Sequence, residues 1–212
     1  VRPPPCHPAP MLALLTGTGL SAAAGLNAYI PFLLVALLAR FTDVITLPPG
    51  WGWLESWWAI GIGSVLLLAE VVLDKVPAVD SVNDAIQSFV RPSAGAVCFS
   101  ATQAAENLDN SAWMQENPWV GVVLGVLVAG LVHTGKMAAR PVVNVSTAGT
   151  GAPVVSTVED VFSVGMSLVA VFLPVVVVLF LALLGWAAVR IWRARSRRRG
   201  QASPRGSRRR PG

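Results

Sequence analysis

Residues 161–189 read VFSVGMSLVAVFLPVVVVLFLALLGWAAV, 29 consecutive positions without a charge. About 20 mainly apolar residues cross a bilayer, so this stretch predicts a transmembrane helix with Pro174 as its kink. From Arg190 to the end there are ten arginines and no acid. The tail RARSRRRGQASPRGSRRRPG (193–212) is predicted to be disordered and cytoplasmic, drawn to anionic lipid headgroups by about 1 kcal/mol per Arg near the surface. It has no aromatic interleaving and no folded module beside it. Nucleic acid is therefore the disfavoured partner, in spite of a pI near 10.2.

The rest of the chain agrees with a membrane setting. Of 212 residues, 54% are hydrophobic and 13% charged, and the mean hydropathy is +0.61. A soluble domain carries roughly 25% charged residues, so much of this surface must face something other than water. Outside the tail, six basic residues stand against eleven acids. Cys6 and Cys98 give no disulfide framework, and His7 and His133 stand apart from any His/Cys cluster, so neither a metal site nor a cofactor is expected. VRPPPCHPAP (1–10) reads as a disordered proline-rich lead. Residues 11–25 lack the positive start of a cleaved signal, and Gly and Thr interrupt their apolar core.

The expected domain is 11–192, an all-α polytopic transmembrane helical bundle of four or five spans with an internal repeat and re-entrant or broken polar segments. Met11–Ala39 carries no charge and reads as the first span, with Pro31 as its kink. Tryptophans 51, 53, 57 and 58 mark a membrane interface, and a second span follows from about Trp57 to Leu73. In VPAVDSVNDAIQSFVRP (76–92), Val79, Val82, Ile86 and Phe89 share one helical face, with Asp80, Asn83, Asp84 and Gln87 opposite. That pattern predicts an amphipathic helix lying at the interface, opened by the capping box Ser81–Asp84. SAGAVCFSATQAA (93–105) is apolar but short for a crossing. A third span covers about 118–132. RPVVNVSTAGTGAPVVST (140–157) is too polar for a lipid-facing helix, and a second capping box, Ser156–Glu159, opens the last span.

Displaced by 61 residues, the chain matches itself at nine of 35 positions over 58–92 and 119–153. Lys75 meets Lys136, Asn83 meets Asn144 and Pro92 meets Pro153, so K-x7-N-x8-P occurs twice after an apolar span. The repeat units are about 57–105 and 118–190. Interrupted segments at matching positions of two halves point to a transporter-type site. With 76–105 re-entrant there are four spans and inverted repeats. With 93–105 crossing there are five spans and parallel repeats.

Three segments carry a resemblance: GLSAAAGLNAYIPFLL (19–34), AEVVLDKVPAVDSVNDAIQSFVRPSAGAV (69–97) and RPVVNVSTAGTGAPVVSTVED (140–160). Over roughly 16–190 the chain resembles the bacterial membrane family known as domain of unknown function 4126. The resemblance implies location in the bacterial plasma membrane and architecture, but no activity.

Ionisable residues inside membrane segments are costly and persist where they pair or serve a function. The substrate-path candidates are Asn27, Glu70, Asp74, Lys75, Asp80, Asn83, Asp84, Lys136, Asn144, Glu159 and Asp160. The leading expectation is a small solute or ion transporter or channel with a polar path between two repeats. The structural alternative treats Asp74–Lys75 and Asp84–Arg91 as interfacial pairs. A membrane scaffold, with a homo-oligomer open, is the second class. An intramembrane lipid-modifying enzyme is the third, and no catalytic motif supports it: GTGAP (149–153) lacks the Lys-Ser/Thr of a phosphate loop.

Overall fold

Seven α-helices and a short 3-10 turn at Pro49–Trp51 make up the main regular structure of the described residues, and no strand occurs among them. The computed structural model describes residues 12–74, 77–106, 108, 111–147 and 150–173, and residues 183, 185–186 and 189–190 beyond them. Side chains at 77–82, 84, 144 and 152 lie outside that description. The helices are α1 (Leu12–Leu26), α2 (Tyr29–Phe41), α3 (Trp57–Leu73), α4 (Pro77–Ala104), α5 (Ala112–Glu116), α6 (Trp119–Ser146) and α7 (Ala152–Phe172). By contacts the chain divides at 177/178. In the second unit the Arg190 guanidinium lies over the Trp186 ring at 5.0 Å. The Arg-rich tail, Pro174 and the 1–10 lead fall outside the described residues.

Small residues decide how the centre packs. A Cβ on Gly125 of α6 would run into the Gly95 carbonyl and Ala96 of α4, so these helices cross with backbones nearly touching. A Cβ on Gly17 of α1 would come within 2.7 Å of Thr102 Oγ1 on α4, and one on Gly25 within 2.6 Å of the Ala129 carbonyl on α6. Ser21 Oγ donates to the Gly95 carbonyl at 2.9 Å. On the far side, Ser163 Oγ of α7 donates to the Ala23 carbonyl at 3.1 Å. Helix α1 is thereby enclosed by α4, α6 and α7, with Ala22, Ala23 and Ala24 buried. Close approach of this kind needs glycine, alanine and serine at the crossing points.

The first segment departs from expectation. It is not one span kinked at Pro31. The helix breaks earlier, at Asn27, and the chain reverses. Gly17 lies by Thr102 and Gly25 by Val132, so α1 runs inward from the end that bears residues 105–118. Phe41 then meets Trp57 at 5.9 Å, and the Thr46 carbonyl accepts from Glu106 N at 2.8 Å, so α2 returns to that same end. Asn27 Oδ1 accepts from the amides of Tyr29 and Ile30 at 3.1 and 3.2 Å, capping α2. Pro31 sits in the first turn of α2, where its missing N–H breaks no helical bond.

The segment expected to be interfacial and re-entrant is also different. Residues 77–104 form one continuous helix of 28 residues, about 42 Å at 1.5 Å per residue. Its start is at Pro77, four residues before the Ser81 capping box. Its amphipathic faces are inverted: Ile86 and Phe89 are 58% and 80% exposed, while Asn83, Gln87 and Arg91 are buried. Segment 93–105 is too short only when read alone; it is the second half of α4.

In the second half of the chain, α6 continues past 132 to Ser146, and α7 begins at Ala152, so Ser156 is inside α7 and caps nothing. The polar stretch 140–157 is therefore helical up to Ser146 and again from Ala152. The segments matched in sequence each hold two helices, α3 ending at Leu73 before α4 starts at Pro77, and α6 ending at Ser146 before α7 starts at Ala152. In consequence Asn83 lies on α4 and Asn144 on α6, and an offset of 61 does not align the elements beyond the first helix of each unit. Windows 119–143 and 153–172 are long and apolar enough to cross a membrane.

Candidate functional site

The buried faces of α3, α4, α6 and α7 bring a group of charges together beside the Asn27 break. On α4 the residues Asn83, Gln87 and Arg91 recur at intervals of four and form one stripe. On α6, His133, Lys136 and Arg140 follow the i, i+3, i+7 spacing of one face. Glu70 closes the last turns of α3, Asp74 is its C-cap, and Glu159 and Asp160 come from α7. Arg91 is 0% exposed, Glu70 and Asp74 2%, and Lys136 and Arg140 6%.

Asp74 is the point of convergence. Its Oδ2 lies 3.2 Å from Lys136 Nζ, 3.1 Å from Arg140 Nη2 and 3.6 Å from Arg91 Nη2. Its Oδ1 accepts from Asn83 Nδ2 at 2.5 Å. Glu159 Oε2 meets the same two α6 cations, Lys136 at 2.9 Å and Arg140 at 2.8 Å. Glu70 Oε1 accepts from Arg91 Nη2 at 2.7 Å. Three carboxylates and three cations thus form one neutral ionic cluster, the arrangement in which buried charge is tolerated.

The cluster also holds the broken helix. The final carbonyls of α1 lack helical partners and carry the negative end of its dipole. Lys136 Nζ donates to the Leu26 carbonyl at 3.2 Å, and Arg91 Nη1 approaches the Gly25 carbonyl at 3.5 Å. Asn27 Nδ2 donates to Asp160 Oδ1 at 2.9 Å, so one side chain caps α2 and ties the break to α7. Arg91 Nη1 also lies 3.1 Å from His133 Nδ1. Arginine only donates, so Nδ1 is the acceptor and the ring proton is on Nε2, which faces Ser88 Oγ at 3.1 Å.

Of the residues singled out from sequence, Asn27, Glu70, Asp74, Asn83, Lys136, Glu159 and Asp160 meet here. Lys75 and the side chains of Asp80, Asp84 and Asn144 lie outside the described residues. Asp74 pairs with Lys136 and Arg140, and Arg91 pairs with Glu70; the Asp74–Lys75 and Asp84–Arg91 pairings involve side chains outside the described residues. Arg91, His133 and Arg140 were missed as members of the site. The stripe spacing on α4 and α6 is the available signal; on α4 alone it predicts only an amphipathic helix at the interface.

No curated protein and no solved structure matches the chain. A family model does: that of the domain of unknown function DUF4126 matches residues 14–194, most of the chain's length, and the chain belongs to that family.

Proposed function

We propose that the chain is a multi-pass protein of the bacterial plasma membrane, and that the cluster at the Asn27 break forms part of a polar path for a small solute or ion. Distribution of side chains supports the membrane setting. Trp58, Val65 and Leu68 of α3, Leu131 of α6 and Val161 of α7 are 81%, 65%, 67%, 74% and 64% exposed, while Glu70, Asp74, Arg91, Lys136 and Arg140 are buried. Only 33% and 28% of the two long apolar windows are buried within the protein. A core helix of a soluble protein would be mostly covered. Six tryptophans, from Trp51 to Trp58 and at Trp113 and Trp119, lie in or beside the two connections at one end, as an interfacial belt would. The Arg-rich tail is assigned to the cytoplasm and to anionic lipid on its charge.

The observation that carries the transport reading is the broken helix. The carbonyl end of α1 and the capped start of α2 meet a buried ionic cluster about halfway along α4, whose midpoint is next to Arg91. Half-helix termini aimed at buried charge are how transporters build solute sites. A scaffold presenting glycine faces to partner helices is less well supported, because Gly17, Gly25, Gly95, Gly121 and Gly125 are already consumed by contacts within the chain.

Flux in sealed proteoliposomes tests the reading, with protons, alkali cations, chloride and small carboxylates as a panel. Wild-type protein is expected to pass at least one of these, and Lys136→Met to abolish that flux while remaining monodisperse in detergent. Flux of none of them, or flux indifferent to Lys136→Met, removes the transport reading.

A further inference from the structure

The ionic cluster is not equally closed along its length. The side chains of Glu70, Lys136 and Asp74 are 1%, 1% and 3% exposed, that of Arg140 7% and that of Glu159 13%. Solvent therefore comes closest to the cluster at the Arg140–Glu159 pair, where α6 faces α7.

Glu159 is also the carboxylate that the cluster can release. Lys136 and Arg140 both contact Asp74 as well, at 3.2 and 3.1 Å, so neither cation is stranded when Glu159 turns away. Lys136 keeps the Leu26 carbonyl in addition. Turned outward, Glu159 regains water, which avoids the penalty of an unpaired buried charge. The helix that carries it need not move. Its next residues toward the centre are tied to the break and to α1, Asp160 by Asn27 Nδ2 at 2.9 Å and Ser163 Oγ by the Ala23 carbonyl at 3.1 Å.

Without Glu159, the six-membered cluster has two carboxylates against three cations. Lys136 Nζ and Arg140 Nη2, which lie 2.9 and 2.8 Å from the same Glu159 oxygen, are then two donors aimed at one point. A further hydroxyl is one turn away. Ser156 precedes Glu159 by three residues on one face of α7 and is 1% exposed. Its Oγ has no hydrogen-bond partner among the described residues. Buried hydroxyls are normally satisfied, so this one points to a group that the chain itself does not supply.

We propose that a small monocarboxylate exchanges with Glu159 at Lys136 and Arg140, and that Glu159 is the built-in competitor that closes the site. The proposal rests on the polar-path reading above and names its solute class. One negative charge balances the cluster once Glu159 has left; a dicarboxylate brings one too many. A cation would have to displace Lys136, held at three acceptors, or Arg140, held by two carboxylates. The planar fork of Arg140 suits the two oxygens of a carboxylate better than a spherical halide.

Calorimetric titration of the full chain in detergent with sodium acetate tests the exchange, against sodium chloride and sodium succinate at matched ionic strength. Wild-type protein is expected to bind acetate saturably. Glu159→Ala should bind it at least tenfold more tightly, because the competitor is gone. Lys136→Met should abolish binding in both backgrounds. Thermal unfolding checks the fold of each variant. If Lys136→Met unfolds, Ser156→Ala takes its place, with a several-fold loss of affinity expected. No saturable binding to wild type, equal affinity with and without Glu159, or chloride or succinate binding as tightly as acetate overturns the proposal. Acetate binding with no flux of any member of the panel leaves the carboxylate site standing and removes the transport reading alone.

Discussion

Lys136 Nζ sits 3.2 Å from the carbonyl oxygen of Leu26, the last residue of α1, and is 110 residues away in sequence. The same ammonium meets Asp74 at 3.2 Å and Glu159 at 2.9 Å. One cation therefore serves a helix end and two carboxylates from different helices. This explains how a helix can stop inside the bundle: the carbonyls left over at its terminus are answered by a charge from α6 instead of by water.

Breaking the cluster from one side should cost more than removing a pair. Arg91→Met leaves Glu70 buried and unpaired, and a loss of about 3–5 kcal/mol of stability is expected. Arg91→Met combined with Glu70→Gln should recover much of that loss. Unfolding in detergent, run as a double-mutant cycle, measures the coupling. Additive losses would mean that the pair at 2.7 Å contributes nothing specific.

Asn27→Ala should cost about 1 kcal/mol for the lost helix cap and about 1.5–3 kcal/mol for the bond to the Asp160 carboxylate. The local signature is faster amide exchange at Tyr29 and Ile30, whose N–H groups lose their acceptor. Unchanged protection at these two amides would show that the break is held by its surroundings and not by Asn27.

The helical character of the chain and the extent of α3 were legible in the sequence, because an apolar run flanked by tryptophan and Asp74 admits few readings. That Glu70, Asp74, Lys136, Glu159 and Asp160 would be paired or functional was legible for a similar reason: charges next to apolar runs are costly when left alone. The orientation of α4 was not. A face bearing Asn83, Gln87 and Arg91 reads as solvent-facing when the helix is taken alone. It becomes an interior face only when Glu70, His133 and the α6 cations are placed against it. The break at Asn27 was likewise hidden behind Pro31, a stronger breaker by local rules. What decides in favour of Asn27 is a tertiary bond to Asp160, 133 residues away.

Gly125→Leu should be far more damaging than Gly61→Leu. A side chain at Gly125 meets the α4 backbone at Gly95 and Ala96, whereas Gly61 has nothing within 4 Å. Overpacking costs typically 1–3 kcal/mol and more against backbone. Thermal unfolding of the two variants in detergent gives the comparison, and equal stability would mean that α4 and α6 do not cross at these glycines.

On the multi-pass reading proposed above, the reversal at Asn27 determines which connections share a side. Helix α2 returns to the end from which α1 entered, so that hairpin contributes no crossing. The 42–56 and 105–118 connections then share one face, as the Glu106 N to Thr46 carbonyl bond requires, and the α6–α7 link lies on the other. Single cysteines at Gly50, Gln115 and Thr150, each exposed, are suitable probes once Cys6 and Cys98 are replaced. An impermeant thiol reagent on intact cells should give the same result at Gly50→Cys and Gln115→Cys and the opposite result at Thr150→Cys. Opposite labelling at Gly50 and Gln115 would mean that α3 and α4 do not cross as a pair. The shared face of the 42–56 and 105–118 connections, and with it the multi-pass arrangement proposed above, would then fail.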